Sequence, residues 1–189
     1  ASIWVDKKYK PTLNLIYLPH LDYCLQKFGV DFTKISKELL EIDRVLQQLI
    51  EHFESTNANI ILLSEYGINN VSDPIHINRI LRAHDCLAIR EEQGLELLDA
   101  GASKAFAVSD HQIAHIYVKN SADKREVKKI LEAIPGVAKV LDSKEIASHH
   151  LNHERTGDFV IIADTDKWFT YYYWLDDAKA PDFARCVEI

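Results

Sequence analysis

Between two short apolar runs, 13–18 (LNLIYL) and 60–63 (IILL), the chain carries a long stretch with helical periodicity. Ile35, Leu39, Ile42, Leu46, Leu49 and Phe53 recur at three- and four-residue steps, and Val45 and Ile50 widen the stripe. Lys37, Glu38, Glu41, Arg44 and Glu51 fall on the opposite face. This spacing predicts a helix with one buried face from about 33 to 55, started by Asp31 or Thr33. The apolar runs on either side are too short for helices and read as buried strands. Strand, long helix and strand together predict a βαβ unit with a right-handed crossover.

The rest of the chain alternates in the same way. Asp73-Pro74 reads as a helix start leading into 75–84. The runs 86–89 and 95–98, separated by a turn containing Gly94, read as a hairpin. Strands are expected at 105–108, 113–118, 137–141 and 159–163, and amphipathic helices at 123–134 and from Ser143 to about 150. The aromatic run Tyr171-Tyr172-Tyr173-Trp174 suits packing better than a ligand platform. Together these elements predict an α/β fold with a mostly parallel sheet. They form one domain over 1–189, in which about 69–154 makes a small inserted α+β lobe.

Composition narrows the function classes. A net charge of −7 argues against binding a nucleic-acid polymer or an acidic membrane, because both select basic surfaces. No apolar run is long enough to span a bilayer. Cys24, Cys86 and Cys186 are odd in number and lack CxxC spacing, which predicts reduced thiols and a cytoplasmic setting. Methionine is absent altogether, position 1 included, so a piece of a longer chain is expected.

The polar residues that follow the two apolar runs are the candidates for chemistry. His20 and Asp22 lie two apart, and on an extended backbone they share one face and can share a metal ion. An isolated pair of this kind serves equally well as a turn cap beside a backbone-paired histidine. Glu65 follows the second run, and a carboxylate placed directly after a buried strand needs a cation, an arginine or a backbone cap. His111 and His115 are too far apart along a strand for easy joint ligation. The His149, His150 and His153 group reads as solvated, as do Asp176 and Asp177.

These residues resemble motifs of the type I phosphodiesterase/nucleotide pyrophosphatase family, within the alkaline phosphatase superfamily. Three landmarks follow in the family's order. The family's first metal motif, Asp with His four residues on, matches the window Asp22-Tyr23-Cys24-Leu25-Gln26. Its second, Ser-Asp-His-Gly, matches Ser64-Glu65-Tyr66-Gly67, and a later Arg-x-Gly-Asp matches Arg155-Thr156-Gly157-Asp158. The resemblance covers about the later half of that catalytic domain. It implies part of a three-layer α/β/α sandwich, two metal ions and a Thr or Ser nucleophile.

The resemblance implies a metal-dependent hydrolase of phosphodiester or pyrophosphate bonds, acting on a small phosphate ester or a nucleotide. Asp22, Glu65, His20 and Gln26 are then the metal-ligand candidates, and His20 and Tyr66 the catalytic ones. The departures are chemically specific: Gln26 and Tyr66 stand where the family has His, and Glu65 where it has Asp. Losing imidazoles moves a site from zinc towards Mg²⁺ or Mn²⁺, or from two ions to one. Nothing in residues 1–12 matches the nucleophile segment, since Thr12 stands just before the first apolar run. No histidine follows Arg155, whereas the family has a metal-binding one near its end. An internal part of a larger hydrolase, inactive by itself, is the expectation. The alternative is a catalytically lapsed member that binds a ligand or a protein.

Overall fold

The computed structural model describes residues 1–186, with the side chains of Arg185 and Cys186 outside the described part. The chain divides into two compact units, Ala1–Asn70 and Val71–Ile189.

The first unit holds helices α1 (Ser2–Tyr9), α2 (His20–Phe28) and α3 (Ser36–Ser55). Most of the amphipathic stripe behaves as its spacing predicts: Ile35 and Phe53 are buried, and Leu39, Ile42, Leu46, Leu49 and Ile50 are half-buried, while Val45, at the edge of the stripe, is exposed. Before α3, Asp31 accepts hydrogen bonds from the Thr33 amide and hydroxyl, and the helix begins one turn later. Helix α1 buries no residue of its own. Its tie to the unit is polar: Asp6 meets His52 Nε2 of α3 at 2.8 Å and accepts from Asn14 at 3.0 Å.

The two apolar runs differ from expectation. Residues 13–18 alternate exposed and half-buried as an extended chain does, yet neither 13–18 nor 60–63 is a strand of any described sheet. Leu15 is 89% exposed and Ile61 84%. An extended segment becomes a strand only when a neighbour takes up its backbone groups. These runs have no such pairing, so the helix of the expected βαβ unit is present and its parallel pair is not. Ile16, Leu18, Ile60 and Leu62 instead line a cavity of about 1110 Å³ together with Leu46, Leu49, Ile50 and Phe53.

The second unit is built on an antiparallel sheet. Strands β1 (Asp73–Ile75), β2 (Ala88–Glu92), β3 (Leu95–Asp99), β4 (Ala105–Asp110) and β5 (Ile113–Val118) come first, with α4 (Ile77–Ala83) after β1. Then follow α5 (Lys124–Glu132), β6 (Val137–Leu141), α6 (Ser143–Ser148), β7 (Phe159–Ala163) and β8 (Lys167–Phe169). The main sheet runs β4-β5-β7-β6, β2 pairs β3 as a hairpin, and β1 pairs β8 in parallel. The expected mostly parallel sheet is therefore corrected: among the described residues only β1–β8 is parallel. Short turns join β4 to β5 and β2 to β3, and short connections of this kind force antiparallel neighbours. Strands β7 and β8, from beyond residue 154, belong to the same unit as the elements of the expected inserted lobe.

Two helix starts also differ. Asp73-Pro74 does not open a helix, because Pro74 sits in β1, opposite Trp168, and Asp73 pairs with Lys167 at 2.7 Å. Asp142, rather than Ser143, caps α6, accepting from the amides of Lys144 and Glu145 while Glu145 returns a bond to the Asp142 amide. That reciprocal arrangement satisfies donors at the helix start that would otherwise be orphaned.

Val127 and Leu131 of α5 pack with Ile116 and Ile161 of the sheet, and Ile77 and Leu81 of α4 join the same core. Asn78 extends that packing with a polar device. Its side-chain amide donates to the Ala107 carbonyl at 2.9 Å and accepts from the Ala107 N–H at 2.7 Å. Among the described residues, no helix is long and apolar enough to cross a membrane.

Candidate functional site

His20 opens α2, so His20 and Asp22 lie on a helix instead of a strand end. Two helical steps rotate side chains by about 200°, which turns the pair to opposite sides. His20 Nε2 is buried and faces Glu41 of α3 at 3.6 Å, beyond hydrogen-bonding distance. Gln26 lies one turn beyond Asp22, and its amide donates to Asp22 Oδ2 at 3.0 Å. Tyr66 arrives from the segment after the second apolar run and donates its hydroxyl to Asp22 Oδ1, also at 3.0 Å. The structure thus brings Asp22, Gln26 and Tyr66 together and leaves His20 on another side.

The local backbone supports this cluster. Ser64 Oγ donates to the Tyr66 carbonyl at 2.7 Å. Gly29 ends α2 at φ +67, where a Cβ would stand 2.3 Å from Asn70 Oδ1. That same oxygen accepts the Val30 N–H at 2.8 Å, so residue 70 and the end of α2 are joined through a space only glycine leaves open. The hydrogen bond to Asp22 is the main cause that pushes the Tyr66 phenol above its ordinary value; burial and the Asp22 charge add to it. Tyr66 is consequently a neutral donor throughout the physiological range. Glu65 is exposed beside it.

The chemistry of this donor set is that of oxygen. Carboxylates, an amide and a phenol suit a hard divalent cation, and no imidazole or thiolate joins them. Cys24, which lies between Asp22 and Gln26, points its thiol to the Leu21 carbonyl at 3.2 Å. Among the described residues, no three His, Cys, Asp or Glu side chains stand close enough together to hold a metal ion. Gln26 and Tyr66 both present protons to Asp22, so the cluster offers one carboxylate and does not fit a pair of zinc ions.

The third landmark lies in the second unit, where its residues tie neighbouring elements together. Asp158 accepts the Val118 N–H at 2.7 Å and pairs with Lys124 at 2.6 Å, fastening the end of β5 to the start of α5. Tyr117 donates to the Arg155 carbonyl at 2.7 Å, and Gly157 donates to His115 Nδ1 at 3.2 Å. A Cβ on Gly157 would lie 2.6 Å from the Ile116 carbonyl oxygen. His111 sits in the β4–β5 turn at φ 54 and is largely exposed.

The aromatic run is packing, as its composition suggests. Tyr173 and Trp174 are buried, and the Arg79 guanidinium lies over the rings of Tyr172 and Trp174 at 5.5 and 5.8 Å. Asp177 is not merely solvated. It binds Arg79 at 2.6 Å and the Trp174 indole N–H at 3.0 Å, and Arg79 holds its carboxyl below the usual range. The Asp22–Tyr66 contact was the feature hardest to find in the sequence. No local spacing marks it, whereas Asp-x-x-x-Gln marks the Asp22–Gln26 pair on one helix face.

The profile of the type I phosphodiesterase/nucleotide pyrophosphatase family matches residues 2–185, and the chain belongs to that family. An uncharacterised pyrophosphatase/phosphodiesterase of Schizosaccharomyces pombe is 37% identical over 76 residues, covering 37% of this chain and 16% of the yeast protein. Murine ectonucleotide pyrophosphatase/phosphodiesterase 5 superposes with a TM-score of 0.62 at 22% identity, covering 92% of this chain and 44% of the murine one. Phosphonoacetate hydrolase of Sinorhizobium meliloti gives a TM-score of 0.49 at 18% identity, covering 90% of this chain and 41% of that protein. The chain thus spans less than half the length of each of these relatives.

Proposed function

We propose that the protein containing this chain hydrolyses phosphodiester or pyrophosphate bonds in small phosphate esters or nucleotides, with a divalent cation. The two compact units are, in this reading, parts of one catalytic domain of the three-layer α/β/α type. The observation that carries it is the meeting of Asp22 and Tyr66. They belong to the first and second family motifs and lie 44 positions apart, and a single hydrogen bond joins them. Family membership supplies the reaction class.

A bound divalent ion would activate the nucleophile and neutralise charge on the phosphoryl oxygens. The chain's own residues prepare for that. Asp22 presents a carboxylate whose orientation is held from two sides, and Glu65 adds an exposed second carboxylate. Tyr66 keeps its proton and offers a donor at the rim. The reading leaves His20, turned to Glu41, outside the ligand set. The buried thiols of Cys24 and Cys86 are unbridged, which favours the cytoplasm as the site of action.

The test is to strip the intact protein with chelator, dialyse it, and assay a chromogenic phosphodiester with Mg²⁺, Mn²⁺ or Zn²⁺ restored. Activity should return with Mg²⁺ or Mn²⁺ and be lost in Asp22→Ala. No turnover with any ion, with no metal retained after dialysis, overturns the reading. Nucleotide binding that survives both chelation and Asp22→Ala identifies a lapsed member that binds without hydrolysing.

A further inference from the structure

The runs 13–18 and 60–63 contain no proline, so every residue offers a backbone N–H and C=O, and among the described residues none of these groups has a backbone partner. Their side chains nevertheless follow the pattern of a sheet interior. Half-buried Asn14, Ile16 and Leu18 alternate with exposed Leu13, Leu15 and Tyr17, and Ile60 to Leu63 is uncharged and exposed throughout. Both runs line one cavity of about 1110 Å³, together with Leu46, Leu49, Ile50 and Phe53 from the apolar face of α3. A strand in a packed sheet fills about 160 Å³ per residue, from a rise of about 3.3 Å, a strand spacing of about 4.8 Å and a layer spacing of about 10 Å. The cavity therefore has room for a single strand of about seven residues. Unpaired backbone groups on two sides and an apolar helix face are what a missing strand leaves behind.

We infer that an extended segment of about seven residues, from the same polypeptide outside residues 1–189, lies between the two runs as a strand and makes them its neighbours in one sheet. This rests on the reading of the chain as part of one larger catalytic domain and deepens it. The length is there: the chain covers 44% of the murine relative, so a protein of that size keeps more than half of its residues elsewhere. The seat also specifies the segment's chemistry. With α3 on one face and the row Leu13, Leu15 and Tyr17 bordering the other, it needs apolar side chains in both directions, which makes it a continuous Val-, Ile- or Leu-rich run without charge. Asp22 lies four residues past the first run and Glu65 two past the second, so the same strand sets how far apart the first two motifs stand.

Amide hydrogen exchange of the intact protein, resolved residue by residue, tests this. Alternate amides in both runs should exchange at least about 1000-fold more slowly than in an unstructured peptide, in step with Ala114 to Val118 of β5, because amides inside a sheet open only with global unfolding. A benzophenone side chain in place of Ile61 should cross-link, at monomer mass, to an apolar peptide from outside residues 1–189. Fast exchange in either run overturns the inference. So does protection that vanishes on dilution, or a cross-link at dimer mass, since both assign the seat to a second copy. A lipid or other apolar ligand offers no backbone acceptors, so it leaves the amides fast and counts against the strand in the same way. Metal-dependent phosphodiesterase turnover alongside fast exchange overturns the strand alone. Protected runs in a protein with no turnover under any ion overturn the hydrolase reading and leave the strand standing.

Discussion

Adding one methyl group at Gly157 measures what the Arg-x-Gly-Asp landmark does in this chain. The new Cβ would lie 2.6 Å from the Ile116 carbonyl oxygen, 2.8 Å from its nitrogen and 3.0 Å from its carbonyl carbon. All three are backbone atoms of β5, which is paired with β4 on one side and β7 on the other. Ile116 is itself fully buried. A flexible side chain could move aside, but β5 cannot retreat without stretching two hydrogen-bond ladders. Overpacking of this kind costs about 1–3 kcal/mol. At roughly 4 °C per kcal/mol, Gly157→Ala should lower the melting temperature by about 4–12 °C. Urea unfolding should show the same loss as a lower midpoint with an unchanged slope. The control is Gly67→Ala in the second landmark, where nothing stands within 4 Å, so the change should stay within about 0.5 kcal/mol. Equal stability of the two variants would refute the assignment of Gly157 to strand packing.

Other perturbations separate the forces in the two units. Asn78→Ala should cost about 2–5 kcal/mol in urea unfolding, because both the N–H and the C=O of Ala107 lose their partner in the core. Glu96 is buried and forms a two-pronged pair with Arg82, which also donates to the Tyr173 carbonyl at 3.1 Å; Glu96→Ala should cost about 3–5 kcal/mol by leaving the guanidinium uncompensated. Arg82 holds the Glu96 carboxyl below its ordinary range against the effect of burial. The stability gained from that shift is full above the unfolded value of about 4.3 and is lost as pH falls through the folded one, so melting curves of wild type and Glu96→Gln should converge in acid. Asp6 is held below its usual range chiefly by its hydrogen bond to His52. Asp6→Asn should speed tryptic cleavage at Lys7 and Lys8 relative to sites in α5, and unchanged cleavage would show that α1 is held by something else.

Most elements of the second unit were legible because each carries its signal locally. Gln93-Gly94 takes left-handed φ values of 53 and 80 in the turn of the β2–β3 hairpin, where Gly at the second position suits a two-residue turn. The α3 stripe and the strands at 113–118, 137–141 and 159–163 are also readable from spacing alone. What failed was pairing. The runs 13–18 and 60–63 have strand composition, but a strand is defined by its neighbours, and no local pattern names them. Pro74 misled for a related reason, since a proline suits a helix start and an edge strand equally well until Lys167–Phe169 is seen beside it. At the candidate site, orientation was not legible. Asp22 stood out as a motif aspartate, whereas helical geometry at His20 turned that histidine away and brought Gln26 round instead.

The amide of Asn78 has one more consequence, which concerns what the sheet does not do. Strand β4 is an outer strand of the order β4-β5-β7-β6. An outer strand with unused N–H and C=O groups is a template on which a foreign strand can add, and sheets that grow this way precipitate. At Ala107 both groups are already occupied by a side chain shaped like a peptide bond. On the opposite border, β6 carries a register irregularity between Val137 and Lys139, which disrupts the regular spacing an added strand would need. Both open borders of this sheet are thus discouraged from polymerising, one by mimicry and the other by misalignment.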